Sequence, residues 1–197
     1  MTANPPNPTN FEAAPLDAEV FAGDLGSGAL ALESGVSVQT EKLEGQQRRI
    51  LAFTQIPATV DQVWQVLTDY DNLASFIPNL ACSQRLSHPD GGIRLEQIGS
   101  QCFLNIKVCA RVVLDMVETF PKELRFSMVE GDFRQFEGKW TLEPVADTPE
   151  PLVRLGYDLV IRPPRAMPVG LIERHIRNDL SRNLRAISDR TTALFAD

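Results

Sequence analysis

The chain has 197 residues, of which 43% are apolar and 23% are charged. This composition is typical of one globular domain with a real core. The net charge of −7 argues against a nucleic-acid-binding protein, because such proteins present basic surfaces to phosphates. No apolar run approaches the roughly 18 residues of a membrane span, and residues 1–10 lack the features of a signal peptide. The sequence therefore predicts a cytoplasmic protein, with peripheral contact to a membrane left open.

The three cysteines, Cys82, Cys102 and Cys109, have no metal-binding or redox spacing. The chain contains two histidines, His88 and His175, so a Cys/His metal site is not expected. We interpret the cysteines as small core hydrophobes. The sequence predicts no metal and no other cofactor.

The negative charge is concentrated near the N-terminus. Residues 1–45 contain one lysine and seven acidic residues, which gives −6 of the net −7. The first part of this segment is rich in Pro, Asn, Ala and Gly and has no sustained periodicity. The sequence therefore predicts a mostly disordered acidic tail over residues 1–33, followed by one domain over residues 34–197.

The predicted domain begins with a hairpin and two short helices. An alternating run from Val36 pairs with the strand that ends at Ile56. Residues 59–62 fit a capping box, and apolar residues follow at helical spacing. We expect this helix to break at residues 69–72, and a second short helical turn to form over residues 73–77.

A meander of strands follows. The clearest strand covers residues 105–116, where apolar side chains alternate with polar ones. This pattern is typical of a sheet with one buried face and one solvated face. Another strand is expected to begin at Ile93 and Leu95, and similar alternation predicts strands over residues 124–128, 136–142 and 153–162. We expect Arg111 to face solvent in a pattern of cross-strand charges.

After Pro163 and Pro164 the periodicity changes from 2 to 3.6, which predicts a long amphipathic helix. Its apolar stripe contains Ile172, Ile176, Leu180, Leu184, Ile187 and Leu194. An antiparallel sheet with one apolar face needs a cover, and this helix is the only predicted element large enough to supply it. An apolar cavity between helix and sheet is the expected ligand site.

Two stretches carry a family resemblance: residues 63–80, VWQVLTDYDNLASFIPNL, and residues 131–140, GDFRQFEGKW. They resemble the START-like (Bet v 1-like, SRPBCC) superfamily, in its branch of polyketide cyclases/dehydrases and coenzyme Q-binding START domains. The resemblance implies an α+β helix-grip fold. In that fold a curved antiparallel sheet wraps around a long C-terminal helix, with two short helices after the first strand or hairpin. It also implies a hydrophobic cavity for a lipid, prenylquinone, polyketide or other apolar molecule.

Aromatic residues and the apolar stripe supply the candidate ligand-binding residues. The polar tips of Tyr157 and of the two tryptophans could orient a ligand oxygen. Ordinary core packing is the alternative, and both can hold because a cavity wall is also a core face. The candidates are Trp64, Tyr70, Phe76, Val108, Val112, Phe126, Phe136, Trp140, Tyr157, Ile172, Ile176 and Leu180.

Catalytic groups are sparse in the sequence. Asp69 and Asp71 lack the further ligands of a calcium loop, so we expect them to end one helix and cap the next. We expect His175 at the edge of the long helix and His88 in an exposed turn. No nucleophile–base motif is present. The sequence therefore favours a binding protein over an enzyme, and no catalytic residue is predicted.

The loop between the last strand and the long helix is the candidate membrane or gate loop. Residues 162–197 contain seven arginines and four acidic residues, and this loop also contains apolar side chains. Such a loop could contact anionic lipid while a ligand moves in or out, or it could cap the cavity mouth. The gate candidates are Arg165, Met167, Val169 and Leu171.

The leading functional hypothesis is binding and transport or presentation of a lipid or prenylquinone-like molecule in the internal cavity. One alternative is a polyketide cyclase/aromatase-type enzyme, with His175 or Tyr70 as acid–base candidates. The other is a non-catalytic assembly factor with a collapsed cavity. The expected partners are a hydrophobic small molecule and a transient membrane surface or membrane enzyme, and no nucleic acid.

Overall fold

The computed structural model describes residues 35–103, 106–165 and 169–196. The backbone alone is described at residues 101–103, 106–108 and 169–175. The predicted tail over residues 1–33 lies outside the described residues. Within the described ranges, no helix is both long and apolar enough to cross a lipid bilayer.

The described chain forms an eight-stranded antiparallel sheet, two α-helices and a short 3₁₀ helix. In chain order they are β1 (Val36–Lys42), β2 (Arg48–Ile56), α1 (Val60–Thr68), the 3₁₀ helix (Tyr70–Ser75), β3 (Leu80–Leu86), β4 (Ile93–Phe103), β5 (Ile106–Thr119), β6 (Glu123–Gly131), β7 (Gln135–Pro144), β8 (Val153–Arg162) and α2 (Val169–Phe195). The strand order is β1-β2-β8-β7-β6-β5-β4-β3. The curved sheet holds α2 against one face, so the predicted helix-grip fold is confirmed.

The capping box predicted at the start of α1 is present in full. The Thr59 hydroxyl oxygen accepts from the Gln62 backbone N–H at 3.3 Å, and the Gln62 side-chain oxygen accepts from the Thr59 backbone N–H at 2.9 Å. The second helix differs from its prediction, since it begins at Tyr70 and ends at Ser75. The cause is local: Asn72 donates from its backbone to the Asp69 carbonyl and from its side chain to the Asp69 carboxylate.

One strand was not predicted. The strand β3 pairs with β4 at the edge of the sheet, with an irregularity between Leu80 and Cys82. Ser83 is the one buried residue of β3. The sequence of β3 therefore lacks the alternation of apolar and polar residues that marks the inner strands. Edge strands with one partner bury less surface, and their hydrophobic signal is correspondingly weak.

The prediction that the cysteines are core residues is wrong for Cys109 and Cys82. Cys109 is exposed and Cys82 is half-buried, and both are free thiols. Cys109 precedes Ala110 on β5, so the strand alternation that directs Ala110 inward directs Cys109 outward. The Cys102 side chain lies outside the described residues.

The core lies between α2 and the concave face of the sheet. Leu184 and Ile187 on α2 are fully buried, and Leu180 is nearly so. The predicted stripe is wrong at its end, because Leu194 is 48% exposed. The buried Thr191 and the half-buried Phe195 take the core-facing positions of the last turn.

The convex face of the sheet carries paired charges, as the alternation predicts for Arg111. The Arg111 guanidinium donates to Glu96 at 2.6 Å and to Glu130 at 2.5 Å. On β2, Arg49 makes two hydrogen bonds with Asp158, at 3.0 and 2.8 Å. These arginines therefore face away from the cavity.

His88 is not simply exposed, contrary to the prediction. Its side chain is 15% exposed, and its Nε2 atom lies 3.5 Å from an Asp115 carboxylate oxygen. Its Nδ1 atom accepts from the Asp90 backbone N–H at 3.0 Å. The turn before β4 folds the ring back against the sheet, an interaction that turn composition alone does not indicate.

Candidate ligand-binding cavity

A cavity of about 450 Å³ lies between the concave face of the sheet and α2. Cavities of this size are typical of small-molecule sites. The helix α2 packs mainly against β1, β2 and α1. The opposite half of the sheet, from β4 to β6, curves away from the helix and leaves the space unfilled.

Strand alternation explains which side chains reach the cavity. On β5, every second residue from Ala110 to Met116 lines it, and on β8 the lining residues are Tyr157, Leu159 and Ile161. The strand β8 alternates strictly between buried and half-buried positions. Each strand therefore contributes one apolar row to the cavity wall.

Eight of the sequence candidates line this cavity. They are Tyr70, Val112, Phe126, Phe136, Trp140, Tyr157, Ile176 and Leu180. The side chains of Val108 and Ile172 lie outside the described residues.

Trp64 and Phe76 do not line the cavity, contrary to the prediction. The Trp64 ring meets the Phe120 ring edge-on, with centroids 5.2 Å apart, and Leu67 of the same helix reaches the cavity instead. Phe76 packs beneath the Arg190 guanidinium, which lies 5.7 Å from the ring centroid. Both aromatic rings are part of the packing around α1 and the end of α2.

Further lining residues were not among the candidates. They are Leu67, Leu73, Ile77, Pro78, Asn79, Leu80, Leu95, Gln97, Gly99, Ala110, Leu114, Met116, Leu124, Phe133, Leu159, Ile161, Asp179, Asn183 and Ile187. The sequence signal is present for the apolar residues that share a strand face with a candidate on β5, β6 or β8: Ala110, Leu114, Met116, Leu124, Leu159 and Ile161. For Asn79 and Asp179 no local pattern exists, since the fold brings together residues 100 positions apart.

An aromatic wall forms one side of the cavity. The rings of Trp140 and Tyr157 have centroids 4.2 Å apart, and Phe126 stacks on Tyr157 at 5.7 Å. Gly138 makes room for this wall, because a Cβ atom there would lie 2.8 Å from the Phe126 ring and 2.0 Å from the Asp158 carbonyl oxygen. The wall offers a flat apolar surface to a ligand.

The two tyrosines of the cavity differ in their hydroxyl groups. The Tyr70 hydroxyl donates to a Glu118 carboxylate oxygen at 2.7 Å. The Tyr157 hydroxyl has no hydrogen-bond partner among the described residues, although the residue is only 8% exposed. Burial raises the pKa of both phenols, with a further contribution from Glu118 at Tyr70 and from Asp158 at Tyr157. Tyr157 is therefore a neutral donor available to a ligand.

The remaining polar lining groups are amides and one carboxylate. The Asn79 side chain donates to Asp179 at 3.0 Å, and the Gln97 side chain donates to the Ser83 hydroxyl at 3.3 Å. The Asn183 side-chain oxygen is buried without a hydrogen-bond partner in the described chain. This arrangement can hold one polar group of an otherwise apolar molecule.

The described residues also bear on metal binding and on the predicted gate loop. No group of three or more His, Cys, Asp or Glu side chains with metal-binding geometry occurs in the described ranges. Arg165 is exposed beyond the end of β8. Met167 and the side chains of Val169, Leu171 and His175 lie outside the described residues, so their assigned roles stay predictions.

Comparisons with known proteins agree with this geometry. Residues 56–188 match the family model of polyketide cyclases/dehydrases and lipid transport proteins. A STAR-related lipid transfer protein from Xanthomonas axonopodis is similar in structure, with a TM-score of 0.65, 19% identity and coverage of 85% of this chain and 97% of that one. A START superfamily protein from Mycobacterium smegmatis has a TM-score of 0.61 and 14% identity, covering 74% of this chain and 98% of that one.

An enzyme shares the same fold. The Zhui aromatase/cyclase from Streptomyces sp. R1128 has a TM-score of 0.58 and 16% identity, with coverage of 76% of this chain and 97% of that one. No curated protein matches the sequence significantly. At these identities the solved structures show the fold alone, whereas the family model matches more than half of the chain. The chain therefore belongs to the polyketide cyclase/dehydrase and lipid transport family.

Proposed function

We propose that this protein binds a lipid or prenylquinone-like molecule in its cavity and carries or presents it to another site. The observation that carries this proposal is the apolar cavity of about 450 Å³ with the unpartnered Tyr157 hydroxyl in its wall. The driving force would be burial of apolar ligand surface, about 25 cal/mol per Å² before the cost of association.

The polar groups of the cavity define the class of ligand. The Tyr157 hydroxyl would donate to a carbonyl or hydroxyl oxygen, and the Asn183 amide offers a second polar contact on α2. The other polar groups of the described lining already make hydrogen bonds within the protein: Tyr70 to Glu118, Asn79 to Asp179, and Gln97 to Ser83. The remaining lining residues are apolar. A molecule with an apolar body and a single oxygen-bearing end satisfies both features, because burying additional unpaired polar groups would cost free energy.

The ionisable groups of the cavity support carriage over cyclase chemistry. A general acid or base works best with a pKa near the operating pH. The pKa values of Tyr70 and Tyr157 are raised above their ordinary value of 10.0, which makes both phenols weak acids. Asp179 accepts a hydrogen bond from Asn79. The described lining is therefore suited to holding a ligand.

Tryptophan fluorescence tests this proposal, because the chain has two tryptophans and only one of them lines the cavity. The variant Trp64→Phe retains Trp140 as the reporter, and Trp140→Phe retains Trp64. Decylubiquinone and doxyl-labelled stearic acid both quench tryptophan at short range. Saturable quenching in Trp64→Phe, with much weaker quenching in Trp140→Phe, is expected. Equal quenching of the two variants, or none with either probe, would contradict the proposal.

A further inference from the structure

A second feature of the surface lies outside the cavity. Three arginines, Arg134, Arg162 and Arg165, line a shallow depression together with Glu44, Gly45 and Gln46. We call these three residues the arginine cluster. They come from separate parts of the sequence: the residue before β7, the last residue of β8 and the segment that follows it.

The sheet register holds the arginine cluster together. The first residue of β7, Gln135, pairs directly with Arg162, and the Arg134 backbone N–H donates to the Arg162 carbonyl at 2.9 Å. The β1–β2 turn reaches the same end of the sheet, because Arg48 at the start of β2 pairs with Ile161. The depression is therefore built on three neighbouring strands.

The cluster is electrostatically unbalanced. None of its three guanidinium groups has a hydrogen bond or a carboxylate within ion-pair distance in the described chain, even though Glu44 lies at the rim. Elsewhere on the sheet, Arg49, Arg94 and Arg111 each pair with a carboxylate. Three unpaired cations at one site repel one another and favour an anion.

We propose that the arginine cluster binds the phosphate groups of anionic phospholipids and docks the protein on a membrane surface. Guanidinium groups suit phosphate because their planar donors match its oxygens. Arg134 and Arg165 are exposed and Arg162 is half-buried, which fits an extended phosphate layer better than an enclosed site for one free phosphate. With a net charge of −7, the protein needs such a local cationic face to approach an anionic membrane.

The position of the cluster connects docking with the cavity. Phe133 directly precedes Arg134, and Ile161 directly precedes Arg162, and both apolar residues line the cavity. Docking through the cluster would thus place this end of the cavity close to the lipid. The inference goes beyond the proposed function, and binding to vesicles without added cargo tests it separately.

The test is co-flotation of the full-length protein with two kinds of vesicle: phosphatidylcholine alone, and equal parts of phosphatidylcholine and phosphatidylglycerol. Binding is expected only to the anionic vesicles, and it should weaken as salt screens the charges. Each arginine near the surface contributes about 1 kcal/mol, so Arg134→Gln/Arg165→Gln should bind about 25-fold more weakly. Both residues are exposed, so the fold should be retained. Glu44→Gln should bind more tightly than the native protein.

The matched control is Lys122→Gln/Arg182→Gln, which removes the same charge from exposed positions elsewhere and should bind nearly as the native protein does. No binding to anionic vesicles, or equal loss in the two double variants, would overturn the proposal. A third arm replaces chloride by inorganic phosphate at constant ionic strength. Complete release of the native protein in phosphate would show a site for free phosphate and overturn the assignment to lipid.

Discussion

Trp140 and Tyr157 lie opposite each other on β7 and β8, with ring centroids 4.2 Å apart in the wall of the cavity. The register of these two strands fixes the contact, and Phe126 stacks on the tyrosine ring with centroids 5.7 Å apart. The packed rings hold Tyr157 in place, while its hydroxyl has no hydrogen-bond partner among the described residues. Rigid aromatic positioning combined with a free donor is the property expected of a ligand-orienting group.

Removing the Tyr157 hydroxyl should weaken binding while preserving the fold. The change Tyr157→Phe keeps the ring packing and removes one hydrogen bond to the ligand, worth about 1 kcal/mol, so the dissociation constant should rise about fivefold. Titration with decylubiquinone, followed by fluorescence, measures this change.

Tyr70→Phe is the matched control, because the Tyr70 hydroxyl already donates to Glu118. It should lower the free energy of unfolding by about 1 kcal/mol and leave the affinity for decylubiquinone nearly unchanged. Equal effects of the two substitutions on affinity would argue against a special role for Tyr157.

Filling the cavity should stabilise the protein and reduce binding. Ala110 lines the cavity from β5, so Ala110→Leu would place extra apolar carbons in space that is otherwise empty. Each buried methylene contributes about 0.8 kcal/mol, partly offset by strain, and a net gain of about 1 kcal/mol in unfolding free energy is expected. Chemical denaturation of ligand-free protein and a decylubiquinone titration measure the two effects.

The neighbouring residue supplies the control for this experiment. Cys109 is exposed on the opposite face of β5, so Cys109→Leu adds similar apolar surface outside the cavity. It should leave both stability and binding nearly unchanged. If Ala110→Leu lowered stability and left binding intact, the cavity would not be the ligand site.

Acid should destabilise the protein partly through Asp115. Hydrogen bonds from Arg94 hold the pKa of Asp115 below its ordinary value of 3.8, and the nearby His88 contributes in the same direction. A depressed folded-state pKa stabilises the fold above the unfolded-state pKa, and this stability is lost as the pH falls through the folded-state value. Unfolding free energy should therefore decrease below about pH 4.

The variant Asp115→Asn isolates this contribution. Its unfolding free energy should be lower than that of the native protein near neutral pH, and it should depend less steeply on pH in the acid range. Urea denaturation at a series of pH values gives the slope of unfolding free energy against pH for the native protein and for the variant. Identical slopes would show that the ion pair between Arg94 and Asp115 does not contribute to acid sensitivity.

The sequence predicts those parts of the fold that depend on local patterns. Thr59 and Gln62 predict the start of α1 because a capping box needs only four consecutive residues. Alternation predicts β5 and β8 because each has one row of side chains facing the core. The strand β3 has no such row, so its place at the sheet edge follows only from pairing with β4.

The sequence predicts where the cavity lies, between the sheet and the long helix, and it predicts part of the cavity lining. Strand phase indicates Val112 and Tyr157, since neighbouring positions on the same face are apolar. On α1, helical periodicity does not distinguish Leu67 from Trp64, because both side chains are buried. Only the packing of α2 against α1 decides which of them reaches the cavity. The unpartnered state of the Tyr157 hydroxyl likewise depends on every surrounding element.

The central claim is that the cavity holds a hydrophobic molecule in the cell, and native mass spectrometry tests it most directly. The native protein, Ala110→Leu and Cys109→Leu would be purified from the source organism, weighed intact and extracted with organic solvent. The account predicts one apolar molecule per chain in the native protein and in Cys109→Leu, and its loss from Ala110→Leu. Repeated recovery of empty native protein, or equal occupancy in Ala110→Leu, would contradict it.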